Sequence, residues 1–196
     1  MVLGKYNKAL KQRNGLLKNE LVSRDSVFSW DVMLAKYGVA LSVARDGLVK
    51  KINNRLTDAY RDIAKNKDVA VMQLVTAEVD ESKYLAELQG SFEKDRSVTH
   101  TTFGAHLDDY IFIFNEKPAD GSASRGEVRS MILALKFVES QLVREELGKS
   151  PLILLDDIFS ELDEARQKQL VTNFRQDQVI ITGVRAPKEL GRGVNL

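Results

Sequence analysis

From Leu3 to about Val22, apolar residues recur at Leu3, Tyr6, Leu10, Leu17 and Leu21, with Lys5, Lys8, Lys11, Arg13 and Lys18 between them. That spacing predicts an amphipathic helix with a basic outer side. Ser23, Arg24, Asp25 and Ser26 supply a turn and a cap, after which Val27, Trp30, Leu34, Tyr37, Leu41, Ala44 and Leu48 repeat at three-and-four spacing. Continued through Ile52, Leu56 and Ile63, this second helix spans roughly 55 to 60 Å at about 1.5 Å per residue. Two antiparallel helices of this kind form an arm. Tyr6, Trp30, Tyr37 and Tyr60 fall in the apolar seam, which favours packing between helices over stacking on bases.

After Asn66 the pattern changes. Val69 to Val79 reads as a strand, Glu81 to Phe92 as a short helix, and Asp95 to Gly104 as a polar loop. Tyr110, Phe112 and Phe114 alternate with Ile111 and Ile113 in a second strand, and Asn115 to Ala123, with Pro118 and Gly121, reads as a loop. Ser124 with Glu127 predicts a capping box, and the helix it opens carries Val128, Met131, Ile132, Leu135, Val138 and Leu142 on one face. Gly148 ends it. Leu152 to Leu155 then predicts a strand covered on both faces, Asp163 to Phe174 a helix, and Val179 to Thr182 a strand, together a parallel β-α-β unit. A domain boundary is expected near residue 96, dividing a helical arm with a small strand-helix extension (1–96) from a second, α/β domain (97–196).

Composition narrows the function. In 196 residues there is no Cys and only two histidines, His100 and His106, so neither a disulfide framework nor a zinc site is expected. No apolar run approaches the ~20 residues of a membrane span, and the first residues lack a signal-peptide core. A cytoplasmic location without membrane contact is the expectation. Net charge is +1, yet residues 1–67 carry 14 Lys and Arg against 6 Asp and Glu, while the remainder carries 15 against 22. A basic half suggests contact with a polyanion, and an acidic half suggests carboxylates around a cation; a merely solvated helix surface is the plainer alternative. Lys5, Lys8, Lys11, Arg13, Lys50 and Lys51 are the candidates for contacts to nucleic-acid phosphates, which would be largely blind to sequence.

The candidate chemistry lies in Leu152 to Asp163, LILLDDIFSELD, where Asp156 and Asp157 follow an apolar strand in a Walker-B-like pattern. Ligands of open α/β sheets bind at the carboxyl ends of strands, and an Asp there suits the Mg²⁺ of a nucleotide. An acidic pair also occurs in phosphoacceptor domains, but those want a Lys after a following strand, where this chain has Thr182 and Gly183. The capped helix start at Ser124, with Gly126 allowing close approach, is itself an anion site. Gly148, Lys149 and Ser150 spell the end of a P-loop, but Val143 stands where its first Gly is required and the triplet enters a strand. These residues contain no Walker A motif.

Ser124 to Glu127, Asp156 with Asp157, and Ser160 to Asp163 resemble the signature motif, Walker B and D-loop of an ABC-type ATPase head. Tyr6 to Lys18, YNKALKQRNGLLK, the segment with Trp30, Asp31, Leu34 and Ala35, and Thr102 to Asp109, TFGAHLDD, resemble stretches of the RecF family of DNA replication and repair ATPases. The resemblance implies an α/β fold in which a helical arm precedes the C-terminal lobe of an ATPase head. It implies Asp156 as a Mg²⁺ ligand, and Asp157 as the carboxylate that polarises the attacking water. Ser124 and Gly126 would contact the γ-phosphate of ATP held by the opposite subunit, with Arg125, Glu127 and Arg129 shaping that nucleotide-binding surface, while Ser160 and Asp163 face that partner. It further implies duplex or gapped DNA as ligand, ATP-dependent homodimerisation, RecR and RecO as mediators, and support of RecA loading. ATP and Mg²⁺ would bind only when a lobe with Walker A is supplied, so the chain alone is expected to be inactive. The alternative is an interaction module that keeps the fold without binding ATP. Gly104, Ala105, His106 and Leu107 lack the proline and arginine of the family's GPHR, which leaves His106 between a hydrogen-bonded loop residue and a nucleotide sensor.

Overall fold

A computed structural model describes residues 1–76, 80–156, 167, 172 and 178–183. The chain forms two compact units, one of Met1–Lys50 with Gln73–Ile111 and the other of Lys51–Met72 with Phe112–Leu196. They interleave along the sequence, and residue 96 lies within a helix of the first.

In the first unit, α1 (Val2–Leu17) and the start of α2 (Arg24–Ala64) form the predicted antiparallel pair. Tyr6 and Ala9 pack with Leu34, Ala35 and Leu41, whereas Leu17 packs with Val22 and Val27. Each buried Leu or Val among them contributes about 1.5–3 kcal/mol. α1 stops at Leu17, before the expected Val22, because Asn19 turns the chain: its N–H donates to Leu16 O (2.9 Å), and its side chain accepts from Leu21 N (3.0 Å). Leu21 leaves the seam and is 90% exposed. Ser23 and Ser26 exchange backbone-to-hydroxyl bonds at the start of α2, as their turn chemistry predicts. By length and composition alone α2 could cross a membrane, but its Leu34, Ala35 and Leu41 lie in the core of this unit.

Tyr84 and Leu88 of α3 (Glu81–Gly90) close that core. Tyr84 rests on Gly38 of α2, where any Cβ would collide with its phenol, and beside Gly104, where a Cβ would stand 2.5 Å from its Oη and 2.8 Å from that of Tyr6. Gly104 also has φ +134°, a conformation that favours glycine. The stretch expected as a loop from Asp95 is partly helical: α4 (Phe92–Val98) buries Phe92 and Asp95 and ends at Thr99 with φ 61°. Its polar composition hid a helix whose inward groups are an aromatic ring and a paired carboxylate.

Three strands, β1 (Ala70–Val75), β2 (Asp109–Phe114) and β3 (Lys117–Pro118), form one sheet in that order. The supposed loop after β2 is a hairpin, with Ile113 opposite Pro118 and Phe114 opposite Lys117. Asn115 and Glu116, at φ 46° and 69°, supply the two positive-φ residues that such a tight turn requires.

In the second unit, Asn53 of α2 brackets Met72, donating to its carbonyl (2.7 Å) and accepting from its N–H (2.8 Å), while Thr57 donates to Ala70 O (2.8 Å). Tyr60 meets Phe114 edge to face at 5.9 Å. α5 (Arg125–Leu147) buries Met131, Leu133, Ala134 and Val138; Ile132, expected on that face, is 45% exposed. Gly148 caps it at φ 63°, so the Gly-Lys-Ser triplet follows a helix end, the reverse of a P-loop. β4 (Leu152–Leu155) and β5 (Gln178–Ile181) pair in parallel, Leu152 opposite Gln178 through Leu155 opposite Ile181. The expected cover on both faces differs here: Leu155 is buried, but Leu152 and Leu154 are 53% and 68% exposed. Side chains alternate along a strand, so within this chain one face of β4 is packed and the other open.

Candidate nucleotide and DNA sites

At the start of α5 the capping box is complete. Ser124 N donates to Glu127 Oε2 (2.6 Å), and Glu127 N donates to Ser124 Oγ (3.3 Å). A helix has no internal acceptor for its first N–H groups, which leaves those of Arg125 and Gly126 to an outside anion, and the helix dipole favours negative charge there. Ser124 and Arg125 are exposed, and Gly126 and Glu127 are half-buried. Gly126 O in turn accepts from Ser130 Oγ (2.9 Å), which fixes the first turn.

Asp156 follows β4 directly and is exposed at the carboxyl end of the parallel pair. Its Oδ1 accepts a hydrogen bond from Thr182 Oγ1, while Thr182 N donates to Leu155 O (3.0 Å). The carboxylate offers hard oxygen atoms of the kind Mg²⁺ takes. Among the described residues there is no group of three or more His, Asp or Glu able to hold a metal. A single carboxylate completed by phosphate and water is how Mg²⁺ is commonly held, so Asp156 fits that ion in a nucleotide complex. Asp157, Ser160 and Asp163 lie outside the described residues, as does most of the helix expected from Asp163 to Phe174.

The basic row divides. Lys5, Lys8 and Lys11 are exposed on α1, with the Lys5 ammonium 5.6 Å from the centre of the Tyr37 ring. Arg13 must be withdrawn from the phosphate-binding set. It is wholly buried, its Nε on Asp31 (2.5 Å) and its Nη1 on Asp95 (2.6 Å) and Thr101 Oγ1 (2.9 Å). A guanidinium enclosed by two carboxylates and no solvent cannot reach DNA. Lys50 pairs with Asp46 (2.7 Å), and Lys51 with Glu146 (2.9 Å), all at exposed positions. Those two lysines are solvated ion-pair partners, able to exchange a carboxylate for a phosphate at small cost.

The segments with the distinctive sequence come together in the first unit as one buried polar network. Asn14 Oδ1 accepts from Thr101 N (2.9 Å) and Oγ1 (2.7 Å), and Asp95 Oδ1 accepts from Thr102 N (2.8 Å) and Oγ1 (2.6 Å). Tyr6 Oη lies 2.8 Å from His106 Nδ1 and accepts from His106 N (3.2 Å), while His106 Nε2 lies 3.0 Å from Thr101 O. A carbonyl can only accept, so Nε2 carries the proton and Nδ1 accepts from the Tyr6 hydroxyl. Burial is the first cause that holds the His106 pKa below its ordinary value, and it pushes the phenols of Tyr6 and Tyr84 up. Burial likewise pushes the Asp31 carboxyl up, against the pull of Arg13. Arg45 Nη1 bonds Asp108 (2.5 Å) and the carbonyl of Ala105, and Thr76 donates to the other oxygen of Asp108 (2.9 Å).

No family model matches the chain. It is 34% identical over 180 residues to the DNA replication and repair protein RecF of Lachnoclostridium phytofermentans, covering 90% of this chain and 50% of that protein. To RecF of Clostridioides difficile it is 35% identical over 189 residues, covering 92% and 51%. Among solved structures, it superposes on the recombination mediator protein RecF with ATP, of the RecFOR pathway, with TM-score 0.79 and 26% identity over 97% of this chain and 53% of that one. The corresponding RecF structure with ATPγS gives 0.76 and 28%, over 94% and 53%. The chain spans about half the length of the curated relatives it matches. Across nearly its whole length, in sequence and in fold, this chain is therefore similar to the C-terminal half of RecF, a DNA replication and repair protein.

Proposed function

We propose that this chain supplies a RecF-like ATPase of DNA replication and repair with the signature and Mg²⁺-anchoring parts of its nucleotide site, and with an arm that contacts DNA. The supporting observation is the pair of site elements in the second unit, a capped α5 N-terminus at Ser124 and a strand-terminal Asp156, in a chain so similar to RecF. Bound ATP with Mg²⁺ supplies the phosphoanhydride and the charge neutralisation that phosphoryl transfer needs. Asp156 presents a carboxylate oxygen to the cation. Ser124 Oγ and the N–H groups of Arg125 and Gly126 receive the γ-phosphate oxygens of nucleotide held by the opposite subunit, with Glu127 and Arg129 shaping that surface. Asp157 orients the attacking water and takes up its proton, and its side chain, one methylene shorter than Glu, suits slow turnover. Ser160 and Asp163 face the partner of an ATP-dependent homodimer. Lys5, Lys8 and Lys11 contact DNA phosphates without reading sequence, in keeping with support of RecA loading alongside RecR and RecO.

ATP titration of this chain, with and without a P-loop lobe, tests the reading. These residues contain no Walker A motif, so the chain alone should neither bind ATP tightly nor hydrolyse it. Adding the lobe should give Mg²⁺-dependent binding and slow hydrolysis. Asp157→Asn should then hold an ATP-bound dimer, and Ser124→Arg should block dimerisation while sparing nucleotide. Tight ATP binding by the isolated chain would overturn the assignment.

A further inference from the structure

Thr182 is a residue for which the motifs give no role. In the parallel register Leu155 stands opposite Ile181, so the next residues along, Asp156 and Thr182, are cross-strand neighbours at the carboxyl end of the pair. Thr182 makes two bonds across to β4 and its end. Thr182 N donates to Leu155 O (3.0 Å), the last rung of the ladder, and Thr182 Oγ1 donates to Asp156 Oδ1. We propose that Thr182 is a positioning residue for Asp156, holding one carboxylate oxygen so that the other is aimed outward at a nucleotide-bound Mg²⁺.

The chemistry is that of an outer partner to a metal ligand. Mg²⁺ demands near-octahedral oxygen ligands at short, fixed distances, and an Asp side chain alone at a strand end is free to rotate away from such a position. A β-branched neighbour is stiff at χ1, so its hydroxyl stays where the backbone puts it. The bond to Oδ1 occupies that oxygen and leaves the lone pairs of Oδ2 for the cation. Threonine performs both tasks at once, because its backbone extends the sheet while its side chain orients the carboxylate. Outer partners of this kind, when removed, typically cost about 10- to 100-fold in metal affinity.

This inference rests on the nucleotide reading above, and the experiment separates the two. The chain joined to a P-loop lobe is titrated with Mg²⁺ at a fixed concentration of a fluorescent ATP analogue, and the readout is the Mg²⁺ concentration at half-maximal binding, not turnover. Thr182→Val keeps a β-branched strand residue and removes the hydroxyl; Thr182→Ser keeps the hydroxyl. The midpoint should rise about 10-fold or more in the Val variant and stay near the parent in the Ser variant. Thermal midpoints without nucleotide should match in all three proteins. Asp156→Asn should abolish the Mg²⁺ dependence. If Asp156→Asn has no effect, the nucleotide reading itself fails. If it acts while Thr182→Val binds Mg²⁺ like the parent, or if Thr182→Ser is impaired as much as Val, the positioning role is overturned.

Discussion

Two sets of ion pairs in this chain join cations to carboxylates under opposite conditions. In the first unit Arg13 joins Asp31 and Asp95 with no side-chain exposure beyond 3%; in the second, Lys51 and Arg55 of α2 join Glu146 and Glu145 of α5 at exposures from 37% to 68%. Desolvation makes the first set indispensable, because each charge has given up water and depends on its partners. The second set is screened and exchangeable. A cation count along the sequence treats Arg13 and Lys51 alike, yet only position on the helix decides whether a cation is a fastening or a surface free to meet phosphate.

The sharpest way to break that contrast is Arg13→Gln. It leaves Asp31 and Asp95 buried without their counter-charge, and chemical denaturation should show a loss of about 3–5 kcal/mol. A loss too small to measure would put Arg13 in the class of the surface pairs. The second probe is pH. The His106 pKa is held below its ordinary value in the folded chain, so on acidification the unfolded chain takes up its proton first and stability falls as pH drops below about 6.5. Replacing His106 with Gln should flatten that part of the stability profile relative to the parent, while a parallel fall in both proteins would remove His106 as its source. The smallest effect belongs to the surface set. Glu146→Gln should leave the thermal midpoint unchanged, while the Lys51 ammonium, whose pKa is raised first by its hydrogen bond to Glu146, returns toward the ordinary lysine value when followed by NMR. A clear drop in stability would mean that the exposed pairs fasten the unit after all.

What the sequence made legible follows the same physics. α2 and α5 are long, periodic and capped by local chemistry, so their existence and the Ser124 box could be read directly. Arg13 misled because it is a long cation in a basic helix. Its position held the warning: Tyr6, Arg13 and Leu17 lie on one stripe of α1, and Asp31 lies on the stripe of α2 with Val27 and Leu34, so opposite charges sit on facing apolar seams. Leu21 failed for the reverse reason, since periodicity alone cannot tell a helix from the turn after it. α4 was hidden by polar residues such as Asp95, whose charged partner Arg13 is distant in sequence. For the site, Asp156 was readable from the strand before it, but Thr182 was not, because only the register of two strands far apart in sequence makes them neighbours.

The tyrosine hydroxyl resting between Gly38 and Gly104 has a consequence for how such a chain can change over time. Positions 38, 84 and 104 stand far apart in sequence, yet the Tyr84 phenol fills the space that a side chain at either glycine would need. A side chain gained at 38 must come after, or together with, a smaller residue at 84, since taken singly it forces the ring out of the core. The three positions therefore form one unit of inheritance. A chain that lost the tyrosine would be released from the glycine at 38, whereas the one at 104 would stay bound by the Tyr6 hydroxyl and by its own backbone.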